Sequence, residues 1–181
     1  LDTSYKKIRL AGADNVIMPD RIGGDHMASL VVVPDLIEFL DNLSIVGKRS
    51  INIDMNSIKF CTEEMIEKYK NINILSEYIH KKLKEINKHN NDNIVSINSQ
   101  INGRSLTNIG TFRAYIESYL KNNSKIHDGM TFLVRQLSPQ SDGVPIEIYV
   151  FSNDTNWVNY ESIQSDIFDH LIASVREFDL T

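Results

Sequence analysis

The stretch MTFLVRQLSPQSDGVPIEIYVF, residues 130–151, decides the fold class. Two runs rich in β-branched and aromatic residues, 130–137 and 146–151, flank a segment at 139–143 that begins with Pro139 and ends with Gly143. Because Pro and Gly favour turns, the pattern predicts a β-hairpin. An isolated hairpin is marginally stable, so its apolar face needs helices or further strands to pack against.

Helical patterns lie on both sides of this hairpin. After it, a helix begins at about Asn156 and is expected to place an apolar set inside: Trp157, Tyr160, Ile163, Ile167, Phe168, Leu171 and Val175. Before it, Thr107 or Asn108 caps a helix with one apolar side: Phe112, Tyr115, Ile116, Tyr119 and Leu120. A short strand is predicted at 94–97, followed by a turn at 101–104.

The resulting order β-α-β-β-α predicts a ferredoxin-like plait without its last strand, which would follow Glu177. The expected fold class is therefore a two-layer α+β domain over residues 94–181.

Residues 47–93 carry a strand and a long helix. From Arg49 the chain alternates, with Ile51, Ile53 and Met55 pointing to one side of a half-exposed strand and a bulge near Ser57. Thr62 is the expected N-cap of the helix, followed by acidic residues in its first turn. One apolar stripe runs along it: Met65, Tyr69, Ile72, Leu75, Ile79, Leu83 and Ile86. The helix is expected to end in the polar run 87–93. This strand and helix are predicted to form a segment separate from 94–181.

Residues 1–46 read as strand, helix, proline break and helix. A short apolar strand is predicted at 15–18, a helix from the N-cap Asp20, and a second helix at 35–42 after Pro34. Too little chain precedes this strand to supply a whole sheet, and the chain begins at Leu1 without a signal-peptide pattern. The N-terminal part is therefore expected to be a fragment of an α/β domain.

Composition limits the function classes. A net charge of −5 gives no electrostatic footprint for nucleic acid, and the single Cys61 excludes an intrachain disulfide and a cysteine-rich zinc site. A transmembrane helix needs roughly 20 apolar residues, and the longest apolar stretch, 28–33, is far shorter. A pore is therefore not expected within this sequence.

Gly23-Gly24 lies beside Asp20, Asp25 and His26, which raises phosphate or metal binding. A Gly pair after an N-cap lacks the G-x-G-x-x-G spacing of a dinucleotide site. Close packing of two helices is the alternative interpretation. Any cofactor-binding residues in this chain therefore remain unassigned.

Three further groups could carry chemistry. Asp166 and His170 share a helix face at i, i+4, with Asp169 beside them, but zinc requires further ligands. His127-Asp128 is a second candidate, and Cys61 is expected to be an inert, buried or half-buried thiol. No serine lies in a G-x-S-x-G context. The sequence therefore predicts no catalytic residues and no metal site, with a small metal-dependent enzyme using Asp166 and His170 as a third-ranked alternative.

The segment RLAGADNVIMPDRIGGDHMASLVVVPDLIEFLDNLSI, residues 9–45, resembles the end of an RCK domain, the regulator of potassium conductance in prokaryotic potassium channels and TrkA-type uptake proteins. The resemblance implies a Rossmann-type tail fragment, with AGADNVIMP as its last strand and a helix–Pro–helix arm that packs on a second RCK domain. The family's Gly-rich nucleotide loop has no counterpart here, so no ligand residues are carried over.

Residues 48–180 resemble MscS-type mechanosensitive channels, specifically the YbdG-like branch with an enlarged membrane part. The motifs that carry this are GKRSINIDMNSIKFCTEEM, GRSLTNIGTFRAYIESYL, MTFLVRQLSP and IEIYVFSNDTNWVNYESIQSDIFDHLIASVREF. The resemblance implies part of the middle-β domain and the α/β domain of a cytoplasmic vestibule, generally a heptamer, at the cytoplasmic face of the bacterial inner membrane. The membrane would be reached through a pore domain absent from this chain.

The two resemblances meet at residues 45–48, where natural fusion and a composite of two proteins both remain open. The first functional expectation is a non-catalytic vestibule or regulatory portion of a mechanosensitive-type channel that acts through subunit assembly. The hairpin at 130–151 and the final helix are the candidate subunit contacts. The alternative is an RCK ligand-sensing module of a potassium channel or transporter, dimeric or higher and binding a nucleotide or divalent ion; otherwise no cofactor is expected.

Overall fold

The computed structural model of this chain describes residues 46–93 and 100–181, which belong to one compact unit, Ser44–Thr181. Three strands form an antiparallel sheet: β1 (Val46–Ile53), β2 (Leu133–Gln136) and β3 (Val144–Phe151). The sheet order is β1-β3-β2, so β3 lies in the centre. Together with the α-helices of the described residues, this sheet confirms the α+β class.

The hairpin between β2 and β3 is confirmed, and its turn fixes β1 as well. Gln140 N donates to Gly143 O at 2.8 Å, and Leu137 N donates to Pro145 O at 2.9 Å. Gly143 has a φ of 123°, a conformation that other residues rarely adopt. A Cβ at this position would lie 2.5 Å from the carbonyl oxygen of Ile53, the last residue of β1. Glycine is therefore required where the hairpin meets the end of β1.

The first hairpin strand is shorter than the predicted 130–137. β2 pairs with β3 only from Leu133, opposite Tyr149, to Gln136. Near the end of β3 the loop between α3 and β2 forms the backbone hydrogen bond in place of β2: His127 N donates to Phe151 O at 2.8 Å. The polar groups there are already satisfied, so the strand does not extend.

The described residues form four α-helices: α1 (Glu63–Lys70), α2 (Asn73–Asp92), α3 (Asn108–Lys121) and α4 (Trp157–Ser174). All but α2 begin at a predicted cap. The Thr62 hydroxyl accepts from Met65 N at 3.2 Å, and the Thr107 hydroxyl accepts from Gly110 N at 3.2 Å. The Asn156 side chain accepts from Val158 N at 3.0 Å. Each cap satisfies a backbone N–H that has no partner within its helix.

The long helix predicted from Thr62 is two helices. Asn71 ends α1, and its side-chain amide donates to the carbonyl of Glu67 at 3.1 Å. Ile72 is extended and opens α2. The break redirects the apolar stripe without interrupting it, because Tyr69 before the break and Leu75 after it are both fully buried.

The core lies between the sheet and the helices. Ile146 and Ile148 of β3 are almost fully buried, and α4 packs over this strand with Ile163 and Ile167. After α4, a 3-10 turn (Val175–Phe178) carries one aromatic ring into the helical layer. Its Phe178 ring lies with its centroid 5.1, 5.2 and 5.3 Å from those of Tyr69, Phe112 and Tyr115, so it links α1 with α3.

Two side chains predicted to lie on apolar faces, Met55 with Ile51 and Ile53 and Trp157 inside the final helix, are exposed. Met55 is 52% exposed, because β1 ends at Ile53 and a 3-10 turn (Met55–Ser57) replaces the predicted bulge and ends the alternation. Trp157 is 61% exposed, because it is the first residue of α4 and lies at the edge of the buried face, whose first residue is Tyr160.

Several predicted elements lie outside the described residues: the strand at 94–97 and all elements of residues 1–45, including Gly23-Gly24 and the RCK-like arm. Residues 47–93 and 94–181 were predicted as separate segments, yet β1 from the first pairs along its whole length with β3 from the second. They contribute to one sheet. No helix within residues 46–93 and 100–181 has the length and apolar character needed to cross a bilayer.

Candidate functional site

Helix α4 carries the residues that sequence reasoning singled out. Its buried side consists of Tyr160, Ile163, Gln164, Ile167 and Leu171. Asp166, Asp169 and His170 are all exposed, as expected from their spacing relative to that side. The predicted shared face of Asp166 and His170 is therefore present.

The two residues nevertheless use separate partners. The Tyr115 hydroxyl of α3 lies 2.5 Å from Nε2 of His170, and the Tyr119 ring stacks on the imidazole with centroids 4.3 Å apart and planes 9° apart. The Asp166 carboxylate lies 3.8 Å from the Lys125 ammonium, and both side chains are largely exposed. His170 thus joins α4 to α3.

A metal-dependent reaction gains no support from this arrangement. Within residues 46–93 and 100–181, no group of three or more His, Cys, Asp or Glu side chains is placed to hold a metal ion.

Burial raises the pKa of the Tyr119 phenol, and the nearby Tyr115 and Asp166 add to this. The Tyr119 phenol is therefore neutral near pH 7, and its ring packs against the imidazole.

His127 and Cys61, the other candidates, are held in local structure. Nδ1 of His127 accepts from the backbone N–H of Gly129 at 3.0 Å, within its own turn. Cys61 is buried, as predicted, and burial is the main cause that raises the pKa of its thiol from 9.0 to about 11. A protonated, buried thiol is a poor nucleophile.

The outer face of α4 is an exposed surface with apolar side chains near both ends. Val158 near its start is 73% exposed and Ile172 near its end is 57% exposed. They lie about 21 Å apart along the axis. Along the stripe between them the exposed residues are small or acidic, namely Ser162, Ser165, Asp166 and Asp169, whereas the exposed Asn159 and His170 lie to one side of it. We define Val158, Ser162, Ser165, Asp166, Asp169 and Ile172 as the α4 outer face.

The side of α4 next to β1 is fixed to the sheet. Arg49 of β1 lies over the Phe168 ring at 5.6 Å and reaches the Glu161 carboxylate at 3.9 Å. With His170 bound to α3 on the other side, α4 is held along both flanks. Its outer face is therefore a rigid surface.

One charged pair was not anticipated from the sequence. Glu147 is 3% exposed in the centre of β3, and Arg135, directly opposite it on β2, donates to its carboxylate from Nε at 2.9 Å and from Nη2 at 2.8 Å. The signal for Glu147 is a single acid within the apolar run 144–151, but its partner depends on the hairpin register. The pair favours that register, and it leaves the Glu147 carboxylate paired and shielded from solvent.

A polar cleft of about 520 Å³ lies beside the start of α4 and is lined by loop residues such as Lys125 and Asp154. Three of its polar side chains serve local structure. The Asp154 carboxylate accepts from Asn156 N and from the Asn159 amide, both at 2.8 Å, and the Asn153 amide donates to the Ser124 carbonyl at 2.9 Å. Asp154, Asn159 and Asn153 are therefore engaged within the protein.

No family model matches this chain, and no solved structure matches it. The site must therefore be interpreted from its own residues. These offer a rigid helical surface with exposed apolar ends and an acidic centre, which can bind another protein surface.

Proposed function

We propose that this chain is the cytoplasmic vestibule or regulatory portion of a bacterial mechanosensitive-type ion channel, a non-catalytic module that acts through subunit assembly. The observation that carries the proposal is the α4 outer face, where Val158 and Ile172 are exposed on a helix held along both flanks. Val158 follows Trp157, which is 61% exposed, so the start of α4 presents two adjacent exposed apolar side chains, and contiguous exposed apolar surface is typical of sites that bind other proteins.

The proposed architecture is a ferredoxin-like plait without its last strand, with a revised first strand. Residues 94–97 were the first strand of the prediction, whereas β1 supports this role better because it lies next to β3 and antiparallel to it. The order β1, helices, β2, β3, α4 is then β-α-β-β-α with three helices in the first connection.

The family resemblance of residues 48–180 supplies the channel identity, and the exposed face supports only the assembly part of it. Under this proposal the modules associate into a ring, a heptamer by family resemblance, at the cytoplasmic face of the inner membrane. A pore domain outside the described residues would anchor them. The alternative RCK function has no observation in its favour among the described residues, because its arm lies in 9–45.

The test is sedimentation velocity of the full chain over a concentration series. We expect association, and we expect Val158→Ser with Ile172→Ser to weaken it by at least about tenfold, since burying one such side chain contributes roughly 1.5–3 kcal/mol. Ile101→Ser is the matched control: it removes an apolar side chain that is 77% exposed but lies outside α4.

A chain that stays monomeric at every concentration would contradict the proposal. Equal loss of association in the control would show that general surface hydrophobicity, and not the α4 outer face, drives the contact.

A further inference from the structure

Two Asp-Gly pairs lie in loops of the described residues. Asp128-Gly129 belongs to the loop between α3 and β2, and Asp142-Gly143 to the hairpin turn. In such a pair the glycine nitrogen can attack the side-chain carboxyl carbon of the aspartate, because glycine has no Cβ to hinder the approach. The product is a five-membered succinimide, which water opens to aspartate or to isoaspartate. The two pairs are chemically identical, so a difference in their reactivity must come from their surroundings.

The first pair lies beside a base. Nδ1 of His127 accepts a hydrogen bond from the backbone N–H of Gly129 at 3.0 Å, and a ring nitrogen that accepts is an unprotonated one. It therefore faces the hydrogen that must leave before the Gly129 nitrogen can attack. Imidazole is the side chain that most often acts as a general base. The backbone of His127 is also anchored, because its N–H donates to the Phe151 carbonyl at 2.8 Å.

The carboxylate of this pair is free to react. Asp128 is exposed and forms no hydrogen bond or ion pair within residues 46–93 and 100–181. It lines a cavity of about 260 Å³ together with His127 and Phe132. The Asp128 side chain can therefore rotate towards the Gly129 nitrogen, and water reaches it.

The second pair is held in an unreactive arrangement. The Asn52 amide donates to the Asp142 carboxylate at 2.5 Å, a bond that must break before this carboxylate can react. The Gly143 N–H donates to the Gln140 carbonyl at 3.2 Å, and a carbonyl oxygen does not take up its proton. Asp142-Gly143 is thus an internal control for Asp128-Gly129.

We propose that Asp128 is a modification site that converts to isoaspartate, with His127 as the base that starts the reaction. Nδ1 of His127 takes the proton from the Gly129 nitrogen as this nitrogen bonds to Cγ of Asp128. One carboxyl oxygen then leaves Cγ as water, with this proton returned from the imidazolium and a second proton supplied by solvent.

Hydrolysis of the succinimide completes the change. Water adds to the main-chain carbonyl carbon of Asp128, the bond from that carbon to the Gly129 nitrogen breaks, and a carboxylate forms with release of one proton. The chain then continues through Cγ and is longer by one methylene group. This extra length lies between His127, which is anchored to β3, and Leu133, where β2 begins.

Prolonged incubation of the full chain at neutral pH, followed by trypsin digestion and mass spectrometry, tests the proposal. Trypsin separates the two pairs, with Asp128 in the peptide 126–135 and Asp142 in the peptide 136–176. Enzymatic methylation of isoaspartyl carboxylates detects the product, and fragmentation localises it. We expect isoaspartate to accumulate at Asp128 at least about tenfold faster than at Asp142, a modest share of what a positioned general base contributes.

His127→Phe keeps an aromatic ring and the backbone N–H but removes the basic nitrogen. It should slow the reaction at Asp128 by at least about tenfold and leave Asp142 unchanged. His127→Ala should give the same result without an added apolar ring, and circular dichroism confirms that both variants are folded. Equal accumulation at the two aspartates of the parent chain, or none at Asp128, would overturn the proposal, and so would an undiminished rate in either variant.

Discussion

Replacement of Gly143 by alanine perturbs the place where the hairpin and β1 are held together. Gly143 has a φ of 123°, outside the range that residues with a Cβ occupy without strain. A Cβ would also lie 2.5 Å from the carbonyl oxygen of Ile53 and 2.9 Å from its carbonyl carbon. These two atoms belong to the backbone of β1, so the contact cannot be relieved by rotating a side chain.

The expected loss follows from these two effects. A residue held in a sparsely populated backbone conformation costs about 1–3 kcal/mol, and moving β1 away from the new methyl group adds to that cost. We therefore expect Gly143→Ala to lower the free energy of unfolding by about 2–4 kcal/mol, a large fraction of a typical domain's stability.

Urea unfolding followed by circular dichroism measures this change. Gly129→Ala is the matched control, since Gly129 has no positive φ and its added Cβ would meet only the rotatable His127 ring, at 3.2 Å. We expect the control to change stability by less than about 1 kcal/mol. Equal stabilities of the two variants would refute the account of the turn.

Three smaller perturbations test other parts of the structure. Arg135→Ala removes the cross-strand partner of the buried Glu147 and should cost about 1–3 kcal/mol in thermal or urea unfolding, less than a fully buried pair because the arginine is half-exposed; an unchanged melting temperature would contradict this. Tyr115→Phe deletes the hydroxyl bound to His170 and should cost about 0.5–1.5 kcal/mol without changing the circular dichroism spectrum, and a neutral result would show that the bond adds nothing. Cys61, whose thiol pKa is raised to about 11, should react with a thiol reagent at pH 8 at least about 100-fold more slowly in the folded protein than in the protein unfolded in urea. Because the folded pKa exceeds the ordinary 9.0, the contribution of the thiol to stability is complete below pH 9 and is lost as the pH rises towards 11.

Helix ends and apolar stripes could be predicted from the sequence because both are set by nearby residues. Thr62 and Asn156 cap their helices through bonds to backbone groups two or three residues ahead. Ile116 and Leu120 are fully buried, as their four-residue spacing indicated. The hairpin was also predictable, since its turn residues Pro139 and Gly143 separate two apolar runs.

The break at Asn71 and the partner of β1 could not be predicted in the same way. The apolar stripe continues through the break, so its periodicity gives no sign of two helices; the signal is Asn71 itself, whose amide binds the preceding turn. The pairing of Ile51 with Ile146 joins distant parts of the chain, and alternation in either strand does not identify the other.

The candidate site shows the same limit. Spacing placed Asp166 and His170 on one face of α4, and both are exposed there. It could not show that the His170 ring would bind Tyr115 and Tyr119, because those residues belong to another helix and meet α4 only after the sheet and core have formed. The sequence predicts the final helix as a subunit contact, but it does not identify Val158 and Ile172 as its exposed apolar residues, because single apolar residues outside the buried stripe carry no periodic signal.

Native mass spectrometry of the full chain tests the central claim, assembly through the α4 outer face, most directly. The account predicts species of more than two copies, seven by family resemblance, that disappear in the Val158→Ser, Ile172→Ser variant and persist in Ile101→Ser. A single monomeric species at concentrations up to about 100 μM, above the micromolar dissociation constants of modest interfaces, would contradict it.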